Sequence, residues 1–278
     1  MLYERPGTLD EALALMAGGP AWRVLAGGTD LYPATTHQSL HGPVLDIAGL
    51  AELRGIAREP SGWRIGAAAT WTEVLGAGLP SAFSALVEAG RELGSIQIQN
   101  VATVMGNLCN ASPAADGVPA LMVLDAELEL VSATGRRRLG LSEFILGNRR
   151  TARTPDEIAV AIHVPEAAVR GVSAFEKLGT RRYLVISIAM AAARVEVENG
   201  RIAAASLAVG ACSEVARRLP MVERALVGQP ADAPVIDAAA VAEALDPIDD
   251  VRATAAYRRE AAAEILRRAV LRAAWGAS

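Results

Sequence analysis

The chain has 278 residues, 52% of them hydrophobic but only 4% aromatic, and 27 basic against 31 acidic residues give a formal charge of −4. No basic run exceeds Arg136 to Arg138, so nucleic acid has no electrostatic footprint here, and the longest apolar stretch, residues 186–193, is far short of the roughly 18 to 20 residues of a membrane span. Two cysteines, Cys109 and Cys212, form no C-x-x-C pair, which excludes a disulfide framework and argues against a cluster or zinc carried by this chain alone.

In chain order, Thr8 is placed to cap a first helix, with Glu11 completing a capping box, Leu13, Leu15 and Met16 as apolar residues and Gly18-Gly19-Pro20 as the stop. Strands are expected at Trp22 to Ala26, Val44 to Ile47 and Trp63 to Ala67. Helices follow at Thr70 to Leu75 and Ser81 to Leu93, the second ending at Gly94. Residues 100–110 read as irregular but apolar, and Ser112 to Asp116 as a helix start with Pro113 at an early position. Glu127 to Val131 alternates as a strand and is closed by a Thr134-Gly135 turn. His163, between Ile162 and Val164, is expected as a polar residue on a strand. Ile188 to Glu198 and Ile202 to Gly210 form a hairpin across Asn199-Gly200, a type I′ signal. Helices are expected from Arg217 to Val227 and from Val251 to Trp275, the latter with Tyr257, Leu266, Val270 and Ala273 on or near one face. The texture changes near residue 170, which divides an N-terminal α+β part, 1–170, from a C-terminal part, 171–278. No basic segment leading into an apolar core opens the chain, so a cytoplasmic protein is expected.

His37 and His41 have the spacing of a ligand pair, but Gly42-Pro43 follows at once and no acid lies between them; they read as solvated loop residues. No metal site is expected.

Two stretches carry chemistry. In Val24-Leu-Ala-Gly-Gly-Thr-Asp-Leu31 a buried strand ends in two glycines, so successive N–H groups can converge on phosphate oxygens. Thr29 adds a hydroxyl, and the missing Cβ atoms of Gly27 and Gly28 allow a ligand close. The stretch is neither a P-loop nor a Rossmann fingerprint, and an ordinary Gly-Gly turn also fits it. The second, Thr103-Val-Met-Gly-Asn-Leu-Cys-Asn-Ala-Ser-Pro-Ala-Ala-Asp116, is dense in hydrogen-bonding residues in an apolar setting, where polar groups need partners. A buried turn network and a polar ligand lying against it both satisfy that need.

Together, Ala26 to Leu31 and Gly106 to Asp116 resemble the FAD-binding subunit of the molybdenum hydroxylases, the medium subunits of xanthine dehydrogenase and aerobic carbon monoxide dehydrogenase. The resemblance extends through Asp156-Glu-Ile158, Val164-Pro165, Phe175-Glu-Lys177, Arg181-Arg182, Asp249 to Arg252 and Tyr257 to Arg259. It implies an α+β fold: a PCMH-type (vanillyl-alcohol-oxidase-like) two-lobed FAD-binding domain, then a smaller α+β C-terminal domain of the carbon-monoxide-dehydrogenase-flavoprotein type. By the same resemblance Val24, Leu25, Ala26, Gly27, Gly28, Thr29, Asp30 and Leu31 line the FAD pyrophosphate. Thr103, Gly106, Asn107, Asn110 and Asp116 form a second contacting loop, with Asp116 suited to accept from ribose or adenine. Val160 packs on the cofactor, Lys177 sits close to it, and Leu93-Gly94 lie near the isoalloxazine. From the residues alone, Lys177 could equally be a surface lysine. Three departures stand out: Met105 where relatives commonly carry glycine, Leu93 where some place an aromatic ring, and Tyr183 to Ile186 where several carry an aspartate.

The resemblance implies an electron-transfer flavoprotein subunit with no catalytic acid or base of its own. Its partners are an iron–sulfur subunit carrying [2Fe–2S] and a large molybdopterin subunit, in a dimer of heterotrimers, with NAD⁺ or another acceptor receiving the electrons. A stand-alone FAD-dependent oxidoreductase of the same fold is the alternative, as is a scaffold that has lost FAD.

Overall fold

The structure, a computed structural model, describes residues 2–36 and 40–277. His37 therefore lies outside the described residues. Thr8 caps α1 (Leu9–Gly18) by accepting from the Glu11 N–H, but the Glu11 carboxylate bonds the N–H of Gly7, so only half of the expected capping box forms. β1 (Tyr3–Glu4), β2 (Arg23–Leu25) and β3 (Val44–Asp46) make a parallel sheet in the order β1-β3-β2. The Gly27-Gly28 loop leaves the carboxyl end of β2, the end at which parallel sheets usually offer a binding crevice.

A second, antiparallel sheet begins with β4 (Ile56–Glu59) and β5 (Gly62–Gly66) and continues with β6 (Glu127–Ser132) and β7 (Gly135–Gly140). After a small hairpin, β8 (Ile145–Gly147) and β9 (Arg150–Thr151), the chain returns as β10 (Ile158–Pro165) to the centre of the order β4-β5-β10-β6-β7. The register of β10 against β6 shifts between Ala159 and Ala161. His163 lies on β10, buried, with Nε2 2.8 Å from Glu129 Oε2 on the neighbouring strand.

Short helices lie in the chain between β5 and β6: α2 (Trp71–Gly76), α3 (Ser84–Glu92), α4 (Ile96–Gln99), α5 (Val104–Asn110) and α6 (Gly117–Met122). Thr70 and Glu73 form a complete capping box on α2, while Ser81–Phe83 is a 3₁₀ turn leading into α3. Two expectations are corrected. Residues 100–110 contain a helix, α5, capped by Thr103, whose hydroxyl accepts from the Gly106 N–H at 3.0 Å. Ser112 to Asp116 is a turn in which Ser112 Oγ accepts from the Ala114 N–H, and α6 starts only at Gly117. A further short helix, α7 (Leu141–Phe144), precedes β8.

The last sheet, antiparallel and in sequence order, comprises β11 (Val172–Leu178), β12 (Ala189–Glu198), β13 (Arg201–Gly210) and β14 (Arg217–Arg218). Asn199 and Gly200, at φ +51° and +72°, supply the two positive angles of the turn joining β12 to β13. Arg217 and Arg218 pair with β13, so α8 (Pro220–Leu226) begins later than expected, with Pro220 at its first position. After α9 (Ala238–Glu243), the long α10 (Ala255–Ala277) lies on β11 and β12. Leu266, Val270 and Ala273 face the core as expected, but Tyr257 is half exposed. Nine residues before Leu266 is half a turn out of phase. Arg258 takes that inward place, its Nη2 bonded to Asp250 at 2.7 Å.

One core lies under the first two sheets and draws in Phe175 and Met190 from β11 and β12; a second lies between the last sheet and α8 to α10. The organisation is the α+β one implied by the resemblance, two sheet-bearing lobes and then a smaller α+β unit. Among the described residues, no helix is long and apolar enough to cross a membrane.

Candidate functional site

The loop after β2 and helix α5 both line one cleft of about 760 Å³, within the size range of small-molecule sites. Val24 through Leu31, Leu93, Thr103, Gly106, Asn107, Asn110, Asp116 and Lys177 all line it. Val160 does not. The bulge in β10 turns its carbonyl to accept from the Ala67 N–H, its side chain is in the core, and Ile158 and Ala159 line the cleft in its place.

Among the described residues, no acceptor takes the backbone N–H groups of Gly27, Gly28, Thr29, Asp30 or Leu31. Five successive donors on one wall make a nest for an anion. The glycines serve it differently from the expectation that their missing Cβ atoms admit a ligand. A Cβ on Gly27 would collide with the carbonyl of Val101, so Gly27 lets the loop lie directly on the 101–102 backbone. Gly28, at φ +73°, provides the left-handed turn. The glycine open to the cleft is Gly106, where a Cβ would meet only the Thr103 hydroxyl, at 2.8 Å. Thr70 and Thr103 form an isolated bridge, and the Trp71 and Val104 N–H groups bond Ala102 and Ala69 carbonyls, which fixes the start of α5.

Lys177 is buried on the wall, with Nζ 2.6 Å from Asp116 Oδ2; Ser187 Oγ donates to Asp116 Oδ1 at 2.6 Å. Both Asp116 oxygens thus have protein partners, and Asp116 still lines the cleft. Burial pushes the Asp116 carboxyl up, and Lys177 and Ser187 draw it back. Glu92, at the end of α3, is also raised by burial, against the opposing pull of Lys177.

Met105, the departure from glycine, belongs to the core and also lines the cleft beside Gly106. Leu93 is partly buried on the cleft wall, where its carbonyl accepts from Gln99 Nε2 at 3.0 Å. Val185 and Ile186 line the cleft, with Ile186, Tyr183 and Leu184 exposed. Trp71, Ile98, Arg149 and Arg153 also line the cleft and were not singled out from the sequence. Trp71 was legible only as an apolar residue of α2, and its indole N–H is buried without a partner among the described residues.

Residues 1–167 match the family described as FAD binding domain in molybdopterin dehydrogenase, and residues 173–273 match the CO dehydrogenase flavoprotein C-terminal domain. The chain is 34% identical to the xanthine dehydrogenase FAD-binding subunit of Escherichia coli O157:H7, over 85% of this chain and 82% of that one. It is 32% identical to the carbon monoxide dehydrogenase medium chain of Afipia carboxidovorans, over 98% and 96%. The crystal structure of the cyanide-inactivated Cu,Mo-CO dehydrogenase superposes with a TM-score of 0.91 at 29% identity, covering 99% of this chain and 98% of that chain.

Proposed function

The chain belongs to the FAD-binding medium subunits of the xanthine dehydrogenase and carbon monoxide dehydrogenase type of molybdenum hydroxylase, and from that premise we propose that it relays electrons and leaves substrate oxidation to a partner. It is the FAD-binding subunit of an oxidoreductase complex. The partners in this reading are an iron–sulfur subunit with [2Fe–2S] and a large molybdopterin subunit, in a dimer of heterotrimers. FAD, when bound, would supply the two-electron chemistry that connects the [2Fe–2S] subunit with NAD⁺ or another acceptor.

This chain's residues bind and orient. The N–H groups of Gly27 to Leu31 hold the pyrophosphate, and Gly106 lets the cofactor lie against α5. Thr103, Asn107 and Asn110 sit on the same wall, and Leu93, Ile98 and Ile186 give the lining apolar surface. Lys177 sets a positive charge beside the cofactor, moderated by Asp116. No side chain is asked to move a proton. The observation that carries this reading is the run of five unpartnered N–H groups in a cleft of dinucleotide scale.

Anaerobic flavin bleaching tests it. Organic substrate added to all three chains should bleach the yellow colour, and substrate added to this chain alone should not. Bleaching by this chain alone would replace the reading with a stand-alone oxidoreductase.

A further inference from the structure

Arg149 links two segments that line the same cleft. It closes the β8–β9 hairpin at φ +59°, and its N–H donates to the carbonyl of Ala111 at 2.9 Å. Ala111 is itself left-handed, at φ +47°, where it ends α5. Glycine or asparagine would hold such a turn with less strain, so an arginine kept there points to a task for its side chain. That side chain donates from Nη1 to Asn110 Oδ1 and stands 3.8 Å from Asp30 Oδ1. Asn110 belongs to α5 and Asp30 to the loop of unpartnered N–H groups, so one guanidinium reaches both. Its Nε and Nη2 donors have no partner among the described residues, and the side chain is 57% exposed.

The other cations of the cleft are committed elsewhere. Lys177 is held by Asp116, and Arg153 gives Nη1 to the carbonyls of Thr154 and Glu157 in its own turn. The loop meanwhile brings a negative charge, Asp30, to a place meant for anions. Backbone N–H groups offset a diphosphate's charge only in part. A guanidinium beside them would complete the neutralisation, and its planar fork matches phosphate oxygens.

We propose that Arg149 is a diphosphate-binding residue, steadied by Asn110 and directed by Asp30 onto the two phosphates held by Gly27 to Leu31. The inference rests on the reading of this cleft as the FAD site.

The test titrates the full chain with FAD, and with ADP as the diphosphate probe, at several salt concentrations. Arg149→Gly removes the guanidinium and suits the left-handed turn, so its melting temperature should match or exceed the parent's. Arg149→Lys keeps the charge without the fork. Arg149→Gly should weaken FAD and ADP alike by roughly ten- to a hundredfold and flatten the salt dependence, with Arg149→Lys between. Arg149→Gly holding FAD as tightly as the parent would overturn this inference alone, as would a loss of FAD affinity with ADP unaffected. A parent chain that takes up no FAD would overturn the functional reading and this inference together.

Discussion

Lys177 Nζ lies 2.6 Å from Asp116 Oδ2, with the two side chains only 5% and 7% exposed. Asp116 precedes α6 and Lys177 is the penultimate residue of β11 in the last sheet, so the pair joins distant parts of the chain at the wall of the cleft. Ser187 closes the arrangement from the segment that leads into β12. Each ion is kept in a dry place by the other.

Removing one partner should therefore cost more than removing both. Lys177→Met or Asp116→Asn alone should lower stability by about 3 to 5 kcal/mol, because each leaves a buried group without its counter-ion. The double variant should recover part of that loss. Denaturant melts of the four proteins form a cycle; strictly additive effects would show that the two residues do not depend on each other.

The two glycines that matter should fail differently. Gly27→Ala drives a methyl into the Val101 carbonyl, so it should lower the melting temperature and reduce FAD uptake together. Gly106→Ala adds a methyl where only the Thr103 hydroxyl is near. Its gain in helix propensity, up to about 1 kcal/mol, roughly offsets a strained cap of similar worth. The fold should survive while FAD affinity falls at least about tenfold, the cost of crowding one well-placed contact. Full flavin occupancy in Gly106→Ala would remove α5 from the binding wall.

What the sequence showed follows from how local each signal is. The Asn199-Gly200 turn and the Thr8 cap of α1 act through residues three or fewer positions apart, and both were readable. Helix α5 was not, because Val104, Met105 and Leu108 share a face over less than two turns and a glycine and two asparagines interrupt them. It is held by Thr103 and by backbone bonds to the Ala69 and Ala102 region. The inward turn of Val160 depends on a bulge set by strand pairing, which no spacing along β10 reveals. Lys177 looked like a possible surface residue until Asp116, far off in sequence, was placed against it. Arg149 carried no motif at all. Its signal lies in a left-handed backbone and in the two segments its side chain reaches.

Acid should loosen the strand beneath the cleft. Arg137 grips Glu157 with Nε and Nη2, at 2.6 and 2.8 Å, and the Thr154 N–H adds a third bond. The Arg137 hydrogen bonds hold the Glu157 carboxyl at about 2, against an ordinary 4.5. A carboxylate lowered on folding stabilises the fold above its unfolded value, and that contribution is lost as pH falls from about 4.5 through about 2. Glu157 immediately precedes β10, whose Ile158 and Ala159 line the cleft. Arg137→Met should be less stable than the parent at pH 7, with the gap closing over that interval. A gap unchanged from pH 7 to pH 2.5 would show that this pair contributes nothing to acid sensitivity.

The last prediction concerns how the cofactor is held. Covalent attachment of a flavin needs a nucleophile at the wall, and no histidine lines this cleft among the described residues. Cys109, on α5, does line it, partly buried. Burial pushes its thiol up to about 11, with Arg153 pulling the other way. At pH 7 that leaves on the order of one molecule in ten thousand as thiolate, the form that attacks or adds. FAD should therefore be bound without a covalent link, and acid precipitation of the purified chain should leave the colour in the supernatant and the pellet white. Cys109→Ser should bind FAD as the parent does, and iodoacetamide should label Cys109 only slowly at neutral pH. A yellow pellet that turns white in Cys109→Ser would make the thiol the point of attachment and show that the wall activates it.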